Sequence, residues 1–136
     1  MSWDIYLIRT KTNTEQYDDI IDENIVGFTK KEICDEIITL AKEFDLSMDD
    51  LDTSYIHLRG EKWSMEFCFW EEEEIYDTVE VQVRGINEPT EILARMQVDL
   101  NARIFDMHNG KFIDAYESGA FDEWKDFTDK IIEKWK

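Results

Sequence analysis

Two neighbouring segments restrict the fold of this chain more tightly than any other feature. In WSMEFCF (63–69), Trp63, Met65, Phe67 and Phe69 fall on one side, with Ser64, Glu66 and Cys68 on the other. In TVEVQVR (78–84), Val79, Val81 and Val83 alternate with Thr78, Glu80, Gln82 and Arg84. Such a period of two makes a strand with one buried and one wetter face. Two such strands close in sequence imply an antiparallel sheet. Between them stand Trp70, the run Glu71, Glu72, Glu73 and Glu74, then Ile75 and Tyr76. Four like charges in a row repel one another and are poor strand formers, so they mark an exposed connection. There they also discourage edge-to-edge pairing with another molecule.

The rest of the chain fits around that sheet. Trp3, Ile5 and Leu7 alternate in a first strand over residues 3–9. Ile33, Ile37, Leu40, Ala41 and Phe44 lie on one face of a helix over residues 29–44, and Thr29 with Glu32 has capping-box spacing. Tyr17, Ile20, Ile21 and Ile25 also recur at helical spacing, but residues 15–28 lack caps, leaving helix or ordered loop. Residues 55–59 read as a short strand that turns at Gly60-Glu61 into the next. Pro89, a residue favoured at the first helical position, opens a second helix burying Ile92, Leu93, Met96 and Leu100. Asn109-Gly110 within residues 104–114 signals a hairpin, in whose two-residue turn both positions need positive φ. A last helix is expected over residues 121–135, burying Phe121, Trp124, Ile131 and Trp135. The expected fold is one α+β domain over residues 1–136: a mostly antiparallel sheet with about three helices packed mainly on one face.

The apolar content of 43% and aromatic content of 13% suit a packed core, so the net charge of -18 is not that of a disordered acidic chain. That charge opposes binding to nucleic acid or to an anionic membrane, and it attracts and steers a basic protein partner. Residues 15–52 hold thirteen acidic and three basic side chains, which concentrates the charge early in the chain. Cys34 and Cys68 are too few for a disulfide framework and read as reduced thiols. The first residues carry no basic segment followed by an apolar run, and no stretch approaches the roughly 18 apolar residues of a membrane span. A cytoplasmic protein is the expectation, as monomer or homodimer.

No phosphate-binding glycine loop, nucleophile elbow or zinc-protease motif is present, so no catalytic residue, cofactor or metal is assigned. Cys34, His57, Cys68 and His108 are each more than five positions apart, unlike the close ligand pairs of structural zinc sites. The acidic clusters Asp18-Asp19, Asp22-Glu23 and Asp49-Asp50 with Asp52 lack the spacing of a calcium loop. Arg84 and Asp106 read as structural polar residues. Arg84 would pair with a carboxylate such as Asp106, and Asp106 would hold the Asn109-Gly110 turn.

Several short motifs carry a resemblance. The opening W-D-I-Y-L strand, Glu66-Phe67, the acidic turn, Val83-Arg84-Gly85, and Asp106, Gly110 and Phe112 in a D-x-x-x-G-x-F hairpin resemble a family of small acidic bacterial proteins. The chain departs from that pattern at Ile86-Asn87, where more glycine is usual. The resemblance implies a shared fold and brings no enzymatic activity with it. In size, charge and architecture such proteins resemble the immunity proteins that neutralise bacterial toxins.

The function expected from these features is non-enzymatic binding of a basic protein, in the manner of an immunity-type inhibitor. Its contact residues would be Asp18, Asp19, Asp22, Glu23, Asp49, Asp50, Asp52 and Glu71, Glu72, Glu73 and Glu74, with Tyr17, Trp70 and Tyr76 as aromatic anchors. The alternatives are a small enzyme or ligand-binding domain built on His57, Glu66, Glu80, Arg84 or Asp106, and a homo-oligomer joined through exposed aromatics.

Overall fold

The computed structural model describes residues 2–49, 51, 54–69, 72–85 and 89–115. Its strands are β1 (Ser2–Ile8), β2 (Ser47–Met48), β3 (Tyr55–Gly60), β4 (Trp63–Cys68), β5 (Thr78–Gly85), β6 (Arg103–Asp106) and β7 (Lys111–Ile113). They form one antiparallel sheet in the order β2-β3-β4-β5-β1-β6-β7. Two α-helices lie among the described residues, α1 (Lys30–Glu43) and α2 (Thr90–Asp99). The fold is thus α+β around an antiparallel sheet. The helix expected over residues 121–135 lies outside the described residues.

Register shows which side chains share a face. Ile56, Phe67, Val81 and Ile5 stand opposite one another across β3, β4, β5 and β1, and Leu58, Met65, Val83 and Trp3 form the next row. All eight are buried in one apolar cluster with Ile33, Ile37 and Leu40 of α1 and Ile92, Leu93 and Met96 of α2. The two helices therefore cover the same face of the sheet. The other face carries the polar members of each strand: His57, Glu66, Gln82 and Asp4 in one row, Cys68, Glu80 and Tyr6 in the next.

Local chemistry explains the helix starts. The Thr29 hydroxyl accepts the Glu32 amide at 3.1 Å and caps α1. Pro89 stands as the N-cap of α2, one position earlier than expected. Residues 10–28 settle as an ordered loop with two 3-10 turns, Tyr17–Asp19 and Asp22–Asn24. Their helical spacing does not become one buried face: Ile20 and Ile25 are half-buried, Ile21 stays exposed, and Tyr17 stacks on Phe105 with part of its ring exposed.

Two turns differ from expectation. The β6–β7 loop has four residues, because Asp106 pairs with Lys111, and only Gly110 takes a positive φ, of 68°. A two-residue Asn109-Gly110 turn is displaced because the Asp106 side chain organises the loop, as described below. The β3–β4 turn is Glu61-Lys62, with Lys62 at φ 66°. At its far side Gly85 sits at φ 118°, where a Cβ would come within 2.1 Å of the Lys62 carbonyl oxygen. Gly85→Ala is therefore expected to lower unfolding free energy by about 1–3 kcal/mol, measured by denaturant titration.

Candidate functional site

Beyond the C-terminal end of β1 and the N-terminal end of β5, the loop 10–28 and the β4–β5 connection meet. Phe28 N donates to the Tyr76 carbonyl at 2.8 Å and Tyr76 N to the Phe28 carbonyl at 2.7 Å. Val26 N donates to the Arg9 carbonyl at 2.8 Å, and Lys11 N to that of Asn24 at 2.9 Å. Segment 24–28 is thus laced between the continuation of β1 and the residues leading into β5. Gly27 permits the approach, since a Cβ there would meet Ile75 Cγ2 at 2.1 Å.

Arg9 holds this assembly from beneath. Its guanidinium donates to Glu32 Oε1 at 2.7 Å, Glu32 Oε2 at 3.2 Å, the Gly27 carbonyl at 2.7 Å, the Leu100 carbonyl at 2.8 Å and the Val26 carbonyl at 3.3 Å. It also lies over the Phe28 ring, 4.4 Å from the centroid. One side chain so ties the loop to the start of α1 and the end of α2.

This end of the molecule is strongly acidic. Asp18, Asp19, Asp22, Glu23, Glu72, Glu73, Glu74 and Asp77 are exposed, and none of the eight forms an ion pair among the described residues. Carboxylates elsewhere, such as Glu32, Asp35, Glu43, Glu66 and Asp99, each have an arginine or lysine partner. The same two segments expose Ile21 (53%), Val26 and Ile75 (58%). Isolated exposed apolar residues are ordinary, but three on two adjoining segments that also carry eight exposed carboxylates resemble the mixed anatomy of a protein contact.

The anticipated anchors fare differently. Tyr76 is buried, edge-on to Phe69 at 5.1 Å, and its hydroxyl accepts the Glu73 amide at 3.2 Å. It fixes the base of the glutamate run instead of offering a ring outward. Tyr17 stacks on Phe105 at 4.1 Å, leaving part of its ring exposed. Asp49 is turned away from the acidic end onto the polar sheet face. Asp50, Asp52, Trp70 and Glu71 lie outside the described residues, as does the turn at Ile86-Asn87. Ile75 was legible in the sequence as an apolar flank of the glutamate run, Ile21 had read as part of a helical apolar pattern, and Val26 carried no signal.

On the polar sheet face, register brings His57 opposite Glu66. Asp49 Oδ2 lies 2.6 Å from His57 Nδ1, and Glu66 Oε2 lies 3.5 Å from Nε2. Arg59 donates to Asp49 Oδ1 at 2.7 Å, while Arg84 donates to Glu66 at 3.4 Å and to Gln82 Oε1 at 2.7 Å. The Arg59 and His57 hydrogen bonds hold the Asp49 carboxyl below its ordinary range. Both imidazole nitrogens thus face carboxylates. Cys68, in the adjoining row, is pushed up to about 12 by burial and by Glu80, Glu66 and Asp4. Its thiol stays protonated at neutral pH and is a poor nucleophile.

Asp106 is not part of this row. It stands opposite Ile5, on the helix-covered face, so Arg84 pairs with Glu66 and not with Asp106. Asp106 is buried and accepts from Trp3 Nε1 at 2.9 Å, His108 N at 3.0 Å, Asn109 N at 3.4 Å and Asn109 Nδ2 at 2.7 Å. Gly110 N donates to the Asp106 carbonyl at 2.8 Å and closes the loop.

Among the described residues no three His, Cys, Asp or Glu side chains converge as a metal site, and no helix is long and apolar enough to cross a membrane. The chain matches no family model, and no curated protein or solved structure matches it.

Proposed function

We propose that this chain is a non-enzymatic binding domain that captures a basic protein at the acidic end of its sheet. The observation that carries this reading is the set of eight exposed carboxylates that form no ion pair among the described residues, on the two segments that also expose Ile21, Val26 and Ile75. Unpaired surface charges of one sign attract a partner of the opposite sign from a distance, and the exposed aliphatic groups supply area to bury on contact. Fast, steered capture is what an immunity-type inhibitor of a basic bacterial toxin needs, and the resemblance to small acidic bacterial proteins agrees with that role. Asp49 falls outside this surface, so its contribution is to the sheet.

The test is kinetic. A basic partner retained by the immobilised full chain is purified, and its association with the wild type and with Glu72→Lys/Glu73→Lys is followed at about 0.05 and 0.5 M salt. The double variant is expected to associate about tenfold more slowly at low salt, with a flatter salt dependence and little change in dissociation. Identical association rates at both salt concentrations would remove the acidic end from the contact.

A further inference from the structure

A buried charge pair lies away from the acidic end, where α1 crosses the end of α2. Glu36 belongs to the buried stripe of α1, between Ile33 and Ile37, and is only 8% exposed. Its carboxyl group faces that of Asp99, the last residue of α2, near enough for a hydrogen bond if one of the two carries a proton. Its Oε1 atom is buried and has no hydrogen-bond partner. Arg95 of α2 is the cation at this seam, and it is already engaged, by Glu43 Oε2 at 2.5 Å and by Asp99 Oδ2 at 3.4 Å. The charged groups acting on Glu36 are therefore Asp99 and Arg95 from α2 and Glu43 from its own helix.

Two carboxylates cannot hydrogen-bond to each other, because neither has a proton to give. The contact exists only while one of them is protonated. We infer that the α1–α2 seam is closed by a single proton shared between Glu36 and Asp99, and that a rise in pH above neutrality unlocks it. When that proton leaves, three carboxylates face one guanidinium, and the anion on Glu36 keeps an oxygen that no donor reaches.

Burial first, and then Asp99, raises the Glu36 carboxyl from its ordinary 4.5 to about 8. The sign of the pH effect follows from that direction. Between these two values the folded chain holds a proton that the unfolded chain has released. The seam's contribution is complete below pH 4.5 and is lost as the pH rises through about 8. Loosening would reach further than the seam. Asp99 precedes Leu100, whose carbonyl is one of the acceptors of Arg9, so the end of α2 and segment 24–28 share a tie.

The experiment uses the full chain, following the Glu36 side-chain carbonyl by carbon-13 NMR and stability by denaturant titration from about pH 5 to 9.5. The Glu36 resonance should titrate near pH 8, far above ordinary glutamates. The unfolding equilibrium constant of the wild type should rise by up to about 100-fold between pH 6 and 8. In Glu36→Gln, whose neutral amide can donate to Asp99 without a titrating proton, the rise should shrink to less than about threefold. Glu36→Leu, which removes the titrating group altogether, supplies the same comparison if Glu36→Gln does not fold. A Glu36 resonance titrating in the ordinary carboxylate range, or variants with the same pH slope as the wild type, would overturn the proposal.

Discussion

Arg9→Ala is expected to lower the unfolding free energy by about 2–4 kcal/mol, among the larger effects of any substitution at a charged residue in this chain. Arg9 is 13% exposed in its side chain, and its removal strips a donor from Glu32 and from the carbonyls of Val26, Gly27 and Leu100. Those acceptors stay partly shielded from water, so the loss exceeds that of an exposed ion pair. Glu32 is 34% exposed and can recover water, which keeps the figure below that of a fully buried pair. Denaturant titration gives the stability, and amide hydrogen exchange gives its location. Protection should fall most at Val26 and Phe28, whose amides close the acidic end onto Arg9 and Tyr76. Arg9→Lys should recover less than half of the loss, since a single ammonium cannot reproduce a planar fork facing five acceptors.

A loss of about 3–4 kcal/mol is expected for Asp106→Ala. The Asp106 carboxylate is 2% exposed and satisfies the Trp3 indole N–H, two loop amides and the Asn109 side chain. Alanine would remove the carboxylate that accepts from the Trp3 indole on the buried face and free the β6–β7 loop to sample other turns. Asp106→Asn makes a sharper comparison. It keeps an oxygen for Trp3 and the loop amides but sets an amide against Asn109 Nδ2, so an intermediate loss of about 1–2 kcal/mol is expected. Stability measured for both variants, with the Trp3 indole proton shift as a local probe, checks the assignment. Equal losses in the two variants would mean that packing, not hydrogen bonding, dominates at this position.

The alternation in β4 and β5 was legible because a period of two leaves one arrangement that buries the valines and Phe67 together. Thr29 was legible as a cap because its chemistry is local. Arg9 was not, since its acceptors come from residues 26, 27, 32 and 100, which only the fold brings together. The two-residue β2 carries no periodic pattern at all. The alternative site set of His57, Glu66, Glu80 and Arg84 does share one sheet face, because strand parity fixes it once register is known. Asp106 leaves that set for the same reason. Glu36 could have been found: a helical wheel places it beside Ile33, Ile37 and Leu40, where a carboxylate has to be explained.

β1 lies inside the sheet, between β5 and β6, and this placement shapes how the chain acquires its structure. Its partners are far away in sequence: Ile5 faces Val81 on one side and Asp106 on the other. β3, β4 and β5 follow one another and can pair as they emerge. At synthesis rates of about 5–20 residues per second, β1 waits roughly 5–20 s for β6. During that interval Trp3, Ile5 and Leu7 are uncovered and at least one edge of the strand is open. The completing step is the insertion of β1 between two strands made long after it, a non-local closure that places this fold among the slower small domains. The nascent chain is therefore most exposed to misassociation not at its acidic end but along β1.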